Sequence, residues 1–171
     1  MKEPNLDQKL IVAYDKMMAR VANLLDTAEQ QALPALQKNI EKAKHQAVEL
    51  KEITMEEAEK LAYYVRRDLR DAAEYLEQTG EELSVWLSFD LELVEERLLD
   101  VFSKVADKTR LELAQLEAQA KRSEEYHTGE ITSIGTLVCK ACNTLVHFKK
   151  TGRIPPCPKC HQTVFVRTSR Q

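Results

Sequence analysis

The chain has 171 residues, of which 31% are charged and only 6% aromatic, and a formal net charge of −3. That mix suits long helices with thin apolar seams better than a thick globular core. No apolar run approaches the roughly 18 residues that a membrane span needs. Met1 to Asn5 carry no apolar leader core, and four reduced thiols without an export signal point to the cytosol. The charge is unevenly divided. Residues 1–128 hold 18 Lys and Arg against 27 Asp and Glu, a balance of −9; residues 129–171 hold 7 against one, Glu130, a balance of +6. Of the two parts, the basic tail is the one suited to phosphate. Lysines that keep a small module in solution explain it equally well.

In chain order, Leu6, Leu10, Tyr14, Met17, Val21, Leu24 and Ala28 recur every three or four residues and predict a helix from about Asn5 to Ala32. Pro34 disfavours helical geometry at Leu33 and breaks or kinks the pattern. A second helix follows with the stripe Leu36, Ile40, Ala43, Ala47 and Leu50. Thr54-Met55-Glu56-Glu57 reads as a capping box. It opens a third helix striped by Ala58, Leu61, Val65, Leu69, Ala72 or Ala73, and Leu76, which stops near Thr79-Gly80. A fourth, the longest, is predicted from about Glu82 to Glu125, with a near-heptad seam from Leu87 to Val105. Thin stripes cannot stay dry alone. The expectation is therefore a mainly α fold, with a long-helix bundle or antiparallel coiled-coil hairpin over 1–127. A homodimer would serve as well.

At Tyr126-His127-Thr128-Gly129-Glu130 the period changes from 3.6 to short β-like runs. The only cysteines in the chain follow: Cys139-Lys140-Ala141-Cys142 and Cys157-Pro158-Lys159-Cys160, with 14 residues between Cys142 and Cys157. Each Cys-x-x-Cys turn aims two thiolates at one point, and two turns make the tetrahedral sulfur shell of one structural Zn(II) ion. Two disulfides, or an iron site of the same geometry, are the competing readings. Strands over Thr144 to Lys149 and Thr163 to Thr168, joined through Thr151-Gly152, complete a small C-terminal β zinc ribbon over 129–171.

Val65-Arg66-Arg67-Asp68-Leu69, Asp107-Lys108-Thr109, Tyr126-His127-Thr128-Gly129-Glu130, Leu137-Val138-Cys139 and Cys157-Pro158-Lys159-Cys160 carry a resemblance to the YbeL-like family of proteobacterial zinc-ribbon proteins, over about 50–171. The resemblance implies a long helical region ending in a four-cysteine ribbon, and no activity. His161 stands where many ribbons place a glycine, and the left-handed turn there strains a histidine.

A closed four-sulfur shell leaves no open position for water, so the metal holds the fold and does not catalyse. His127 and Glu130 fit a hinge better than acid–base chemistry, and no catalytic residue is assigned. Lys149, Lys150, Arg153, Phe165 and Arg167 are the candidate nucleic-acid or partner surface, with bases stacking on aromatics beside cations. The alternative is that Phe148 and Phe165 fill the ribbon core. Arg66, Arg67, Asp68 and Arg70 form the densest charge cluster, either an exposed salt lattice or a helical docking patch. The leading reading is a non-enzymatic cytoplasmic adaptor for a protein partner, with nucleic-acid binding through the ribbon as the alternative. By architecture alone the layout resembles bacterial factors of the DksA type, which insert a coiled coil into RNA polymerase. Against that, the tip near Gln78-Thr79-Gly80-Glu81 carries no paired aspartates.

Overall fold

The computed structural model describes residues 5–27, 35–79, 100–101, 105 and 125–167. Its helices are α1 (Leu6–Thr27), α2 (Ala35–Glu49) and α3 (Met55–Thr79). α1 buries Tyr14, Met17, Met18 and Val21; α2 buries Leu36, Ile40, Ala43 and Ala47; α3 buries Ala58, Leu61, Val65, Leu69 and Ala72. These stripes meet in one cluster, as amphipathic helices must to hold their shape in water. Leu6 and Leu50, at the ends of their stripes, stay exposed.

The α2–α3 connection is set residue by residue. The Glu52 amide donates to the Ala47 carbonyl at 3.0 Å and the Lys51 amide to the Val48 carbonyl at 2.9 Å. That pair of bonds is a Schellman closure. Its left-handed residue is Lys51, at φ 55°, where a Cβ crowds the following carbonyl and glycine is usual. Lys51→Gly is expected to stabilise the chain by about 0.5–1 kcal/mol, the relief of strain exceeding the lost backbone entropy; urea denaturation measures it. Glu52 accepts from both terminal nitrogens of Arg20 at 2.8 Å and from Lys16 Nζ at 3.1 Å. The Arg20 guanidinium, with Lys16, holds its carboxyl below the usual range. The capping box forms as expected: Glu57 N–H donates to Thr54 Oγ1 at 3.2 Å, and Thr54 N–H to Glu57 Oε2 at 2.8 Å.

Among the described residues six strands follow: β1 (Tyr126–His127), β2 (Ile131–Thr132), β3 (Gly135–Cys139), β4 (Leu145–Phe148), β5 (Gly152–Arg153) and β6 (Val164–Arg167). One sheet has the order β1-β6-β3-β4, and β2 pairs with β5 in a second. Every pairing is antiparallel, with Cys139 opposite Phe165 and Gly135 opposite Phe148. Tyr126, Leu137, Phe148, Ile154 and Phe165 bury themselves around Cys139 and Cys157. β4 and β6 match the expected strands. β1, β2 and β5 are two residues each, too short to leave a period-two pattern. At the turn between β1 and β2, Gly129 takes φ 95°, and its amide donates to the Ile154 carbonyl at 2.8 Å.

The arrangement is mixed α/β, which corrects the mainly α expectation. Among the described residues there is neither a long-helix bundle nor an antiparallel coiled-coil hairpin. Helices of 22, 15 and 25 residues pack on one another and, through α1 and α3, on strands as well. β2 lies against α1 and α3, and β5 against α1. Ile131 and Ile134 sit in the same buried cluster as the helix stripes, so part of the apolar cover comes from the segment around β2. The architectural analogy with coiled-coil factors falls with the hairpin. The fourth helix expected over 82–125, Asp107-Lys108-Thr109, and the tip residues Gly80 and Glu81 lie outside the described residues. The exceptions are Asp100, Val101 and Val105, which are helical, and Glu125, which precedes β1; Val105 is buried in the helical cluster, with Val101 packed against it. No helix among the described residues is long and apolar enough to cross a membrane.

Candidate metal centre

The two Cys-x-x-Cys segments fold alike. In the first, the Asn143 amide donates to the Cys139 carbonyl and the Cys139 amide to the Thr144 carbonyl, each at 2.9 Å. In the second, the His161 amide donates to the Cys157 carbonyl and the Cys157 amide to the Gln162 carbonyl, again at 2.9 Å. The residue after each second cysteine is left-handed, Asn143 at φ 59° and His161 at φ 60°. The sequence marked His161 for this. Asn143, its equivalent, escapes notice because asparagine visits that region with less strain.

These turns bring the four Sγ atoms of Cys139, Cys142, Cys157 and Cys160 within 4.8 Å of one another. Cys139 and Cys160 stand 3.5 Å apart, and Cys142 and Cys157 3.6 Å. A disulfide needs about 2.05 Å. Sulfurs sharing one zinc ion at about 2.3 Å stand roughly 3.8 Å from each other. The donor set therefore fits a single tetrahedral ion that prefers thiolate. Neither His147 nor His161 joins the four. The surroundings favour ionised sulfur only in part. The Thr144 hydroxyl and amide lower the Cys142 thiol to about 6, and the amides of Cys160 and Lys159 lower Cys157. Cys160 takes the Gln162 amide, yet burial and the other three sulfurs push it up to about 12. Four thiolates at this spacing need a cation between them.

The five candidates for a basic surface do not share one face. Lys149, Lys150 and Arg153 are exposed, and Arg153 pairs with Asp7 of α1 at 2.7 Å. Phe165 is 0% and Arg167 7% exposed. Strand alternation correctly groups Phe165 with Arg167, but their shared face is the interior, so Phe165 is closed to a stacking base.

The helical cluster is corrected in the same way. Arg67 and Asp68 are buried, and Arg66 and Arg70 are half-buried, so no exposed lattice runs through the first two. Asp68 is instead the hub of an internal network. Its Oδ2 accepts from the Tyr14 hydroxyl at 2.6 Å, the Ser133 amide at 2.8 Å and the Thr132 hydroxyl at 3.2 Å. Its Oδ1 faces Arg67 Nε and an Arg167 terminal nitrogen, both at 3.3 Å. Arg67 donates onward to Glu130 and, at 3.1 Å, to the Ile131 carbonyl. Arg167 donates to the Tyr126 hydroxyl at 2.9 Å, the Ile134 carbonyl at 3.0 Å and Thr132 Oγ1 at 2.6 Å. The Tyr126 hydroxyl donates to Asp71, and both guanidiniums lie over the Tyr126 ring. Burial raises the Tyr14 and Tyr126 phenols well above their ordinary range, so both remain donors. Burial works against the charge on Arg67 and Arg167, but their anionic and phenolic neighbours outweigh it.

Sequence reasoning missed Tyr14, Asp71, Tyr126, Thr132 and Ser133 as members of this network. One signal was available. Leu61, Val65, Asp68 and Ala72 fall on a single helix face, which places an aspartate in an apolar stripe. Burial also pushes the Asp71 carboxyl up to about 6, against Arg167 and Tyr126, which hold it down. A carboxyl raised in the folded chain takes its proton there first. Its contribution to stability is thus present at low pH and lost as pH rises through about 6. Between pH 7 and 4.5 the native chain is expected to gain about 2 kcal/mol relative to Asp71→Asn. Paired urea titrations read the difference, and parallel pH profiles would contradict it.

A family model described as "Zinc-ribbon containing domain" matches residues 23–169. The chain is 28% identical over 159 residues, 93% of its own length and 96% of the relative's, to a protein named "Uncharacterized protein YbeL" from Escherichia coli K12. Proteins of that name from the O6:H1 and O157:H7 strains match with the same figures. No solved structure matches the chain.

Proposed function

The chain belongs to the zinc-ribbon containing domain family, and from that premise we propose a non-enzymatic, cytoplasmic zinc protein that acts as a protein-interaction adaptor. Cys139, Cys142, Cys157 and Cys160 hold one Zn(II) ion, which ties the two knuckles and the strands between them into a rigid unit. The observation that carries this reading is the gathering of four sulfurs from two matching turns within 4.8 Å. A complete four-sulfur shell has no place for a reacting water, so the ion's role is structural. The helices supply shape and contact area for a protein partner. Affinity capture from native cells tests the adaptor role: partners retained after nuclease treatment support it, and partners lost with nuclease count against it.

Binding of nucleic acid through the ribbon is the weaker reading, since Phe165 and Arg167 are buried and Arg153 is paired. At about 150 mM salt a labelled single-stranded oligonucleotide is expected to show no binding tighter than the roughly 10⁻⁴–10⁻⁶ M of non-specific contact. Tighter binding that weakens steeply with salt, with Lys149 and Lys150 setting the slope, would reverse the order of the two readings.

A further inference from the structure

The ribbon and the helices share more than an apolar contact. Cys139 on β3 is paired with Phe165 on β6, and Leu137 on β3 with Arg167 on β6. A metal ligand and a network arginine are thus two rungs apart on one ladder, roughly 7 Å along the strand. The knuckle turns also anchor β6. The Lys140 amide donates to the Val164 carbonyl at 3.1 Å, and the Cys157 amide to the Gln162 carbonyl at 2.9 Å. At the far end of that strand Arg167 meets Asp68 and lies 3.7 Å from Asp71, both on α3. Asp68 in turn holds Tyr14 of α1. A continuous set of hydrogen-bonded and paired residues therefore runs from the sulfurs to the interface between α1 and α3.

We infer that this chain of contacts couples the helical core to the metal centre: filling the four-cysteine site fixes β6, β6 presents Arg167 to Asp68 and Asp71, and emptying it loosens α3 from α1. The inference rests on the metal reading given above and extends it. When the knuckles open, β6 loses the register that delivers Arg167. Asp68 then sits buried with one cation withdrawn, a state that burial disfavours strongly, and the helices relieve it by admitting water. Any partner surface on α1 or α3 thereby becomes conditional on the metal. Linkage makes the effect reciprocal, so a change on α1 that weakens the network must weaken metal retention.

Hydrogen exchange on the full chain, with and without a strong zinc chelator, tests this. Chelation is expected to speed exchange about tenfold or more in α3 around residues 65–72 and in α1 around residues 13–18. Ribbon amides that open while both helical segments keep their protection would overturn the coupling and leave the metal reading intact. Ribbon amides that also stay unchanged would remove the metal reading and the coupling together. The reciprocal test uses Tyr14→Phe, which keeps the ring and removes only the hydroxyl bonded to Asp68. In competition with a chromogenic chelator it is expected to hold zinc about fivefold more weakly than the native chain. Equal retention would overturn the coupling as surely.

Discussion

Asp68→Ala is expected to lower the unfolding free energy by about 3–5 kcal/mol, because it leaves two buried guanidiniums facing a missing partner. Asp68 is 0% exposed and accepts from Tyr14, Thr132 and Ser133 while facing Arg67 and Arg167. That expected loss already includes the stranding of a hydroxyl on α1 and an amide between β2 and β3, buried groups that cost about 1–3 kcal/mol each when orphaned singly. A domain margin of about 5–15 kcal/mol leaves little after such a loss. Urea denaturation followed by far-ultraviolet circular dichroism measures it. The fitting control is Glu56→Ala, which removes an exposed partner of Lys60 one turn away on α3 and is expected to leave the midpoint in place. Equal midpoints for the two variants would show that the internal network contributes nothing.

The second large effect concerns the metal. Cys157→Ser is expected to abolish zinc retention and unfold the strands of the ribbon. Cys157 is buried, and its backbone closes the second knuckle through bonds to His161 and Gln162. A structural zinc ion contributes on the order of 10 kcal/mol to the folding of a unit this small. The cores of β3, β4 and β6 carry few apolar residues beyond Leu137, Phe148 and Phe165, too few to replace that contribution. Loss of amide protection in β3 and β6 relative to the untreated native protein, to the level of the chelator-treated one, checks the outcome. A serine variant that keeps native protection without metal would contradict it.

The parts of the molecule legible in the sequence are those governed by local rules. The three helix stripes, the capping box at Thr54 and Glu57, and the two knuckles each follow from spacings of three or four residues. What the sequence hid was long-range. The two-residue β1 pairs with β6, and the two-residue β2 with the two-residue β5, each across a long stretch of chain, and no periodicity records such a pairing. The same distance conceals the role of Arg67 and Arg167. Charged residues are solvated in most chains, so both read as surface until their shared partner Asp68 places them inside. The mainly α expectation failed for a related reason. Amphipathic stripes report that a face must be covered, and Ile131 and Ile134 show that the cover need not be another helix.

The most direct measurement is the metal content of the full chain, purified without added metal and weighed under native conditions by mass spectrometry. One zinc ion per chain, with four unoxidised cysteines, is the expected result. A chain that carries no metal, or whose cysteines are paired in two disulfides, would contradict the account at its root.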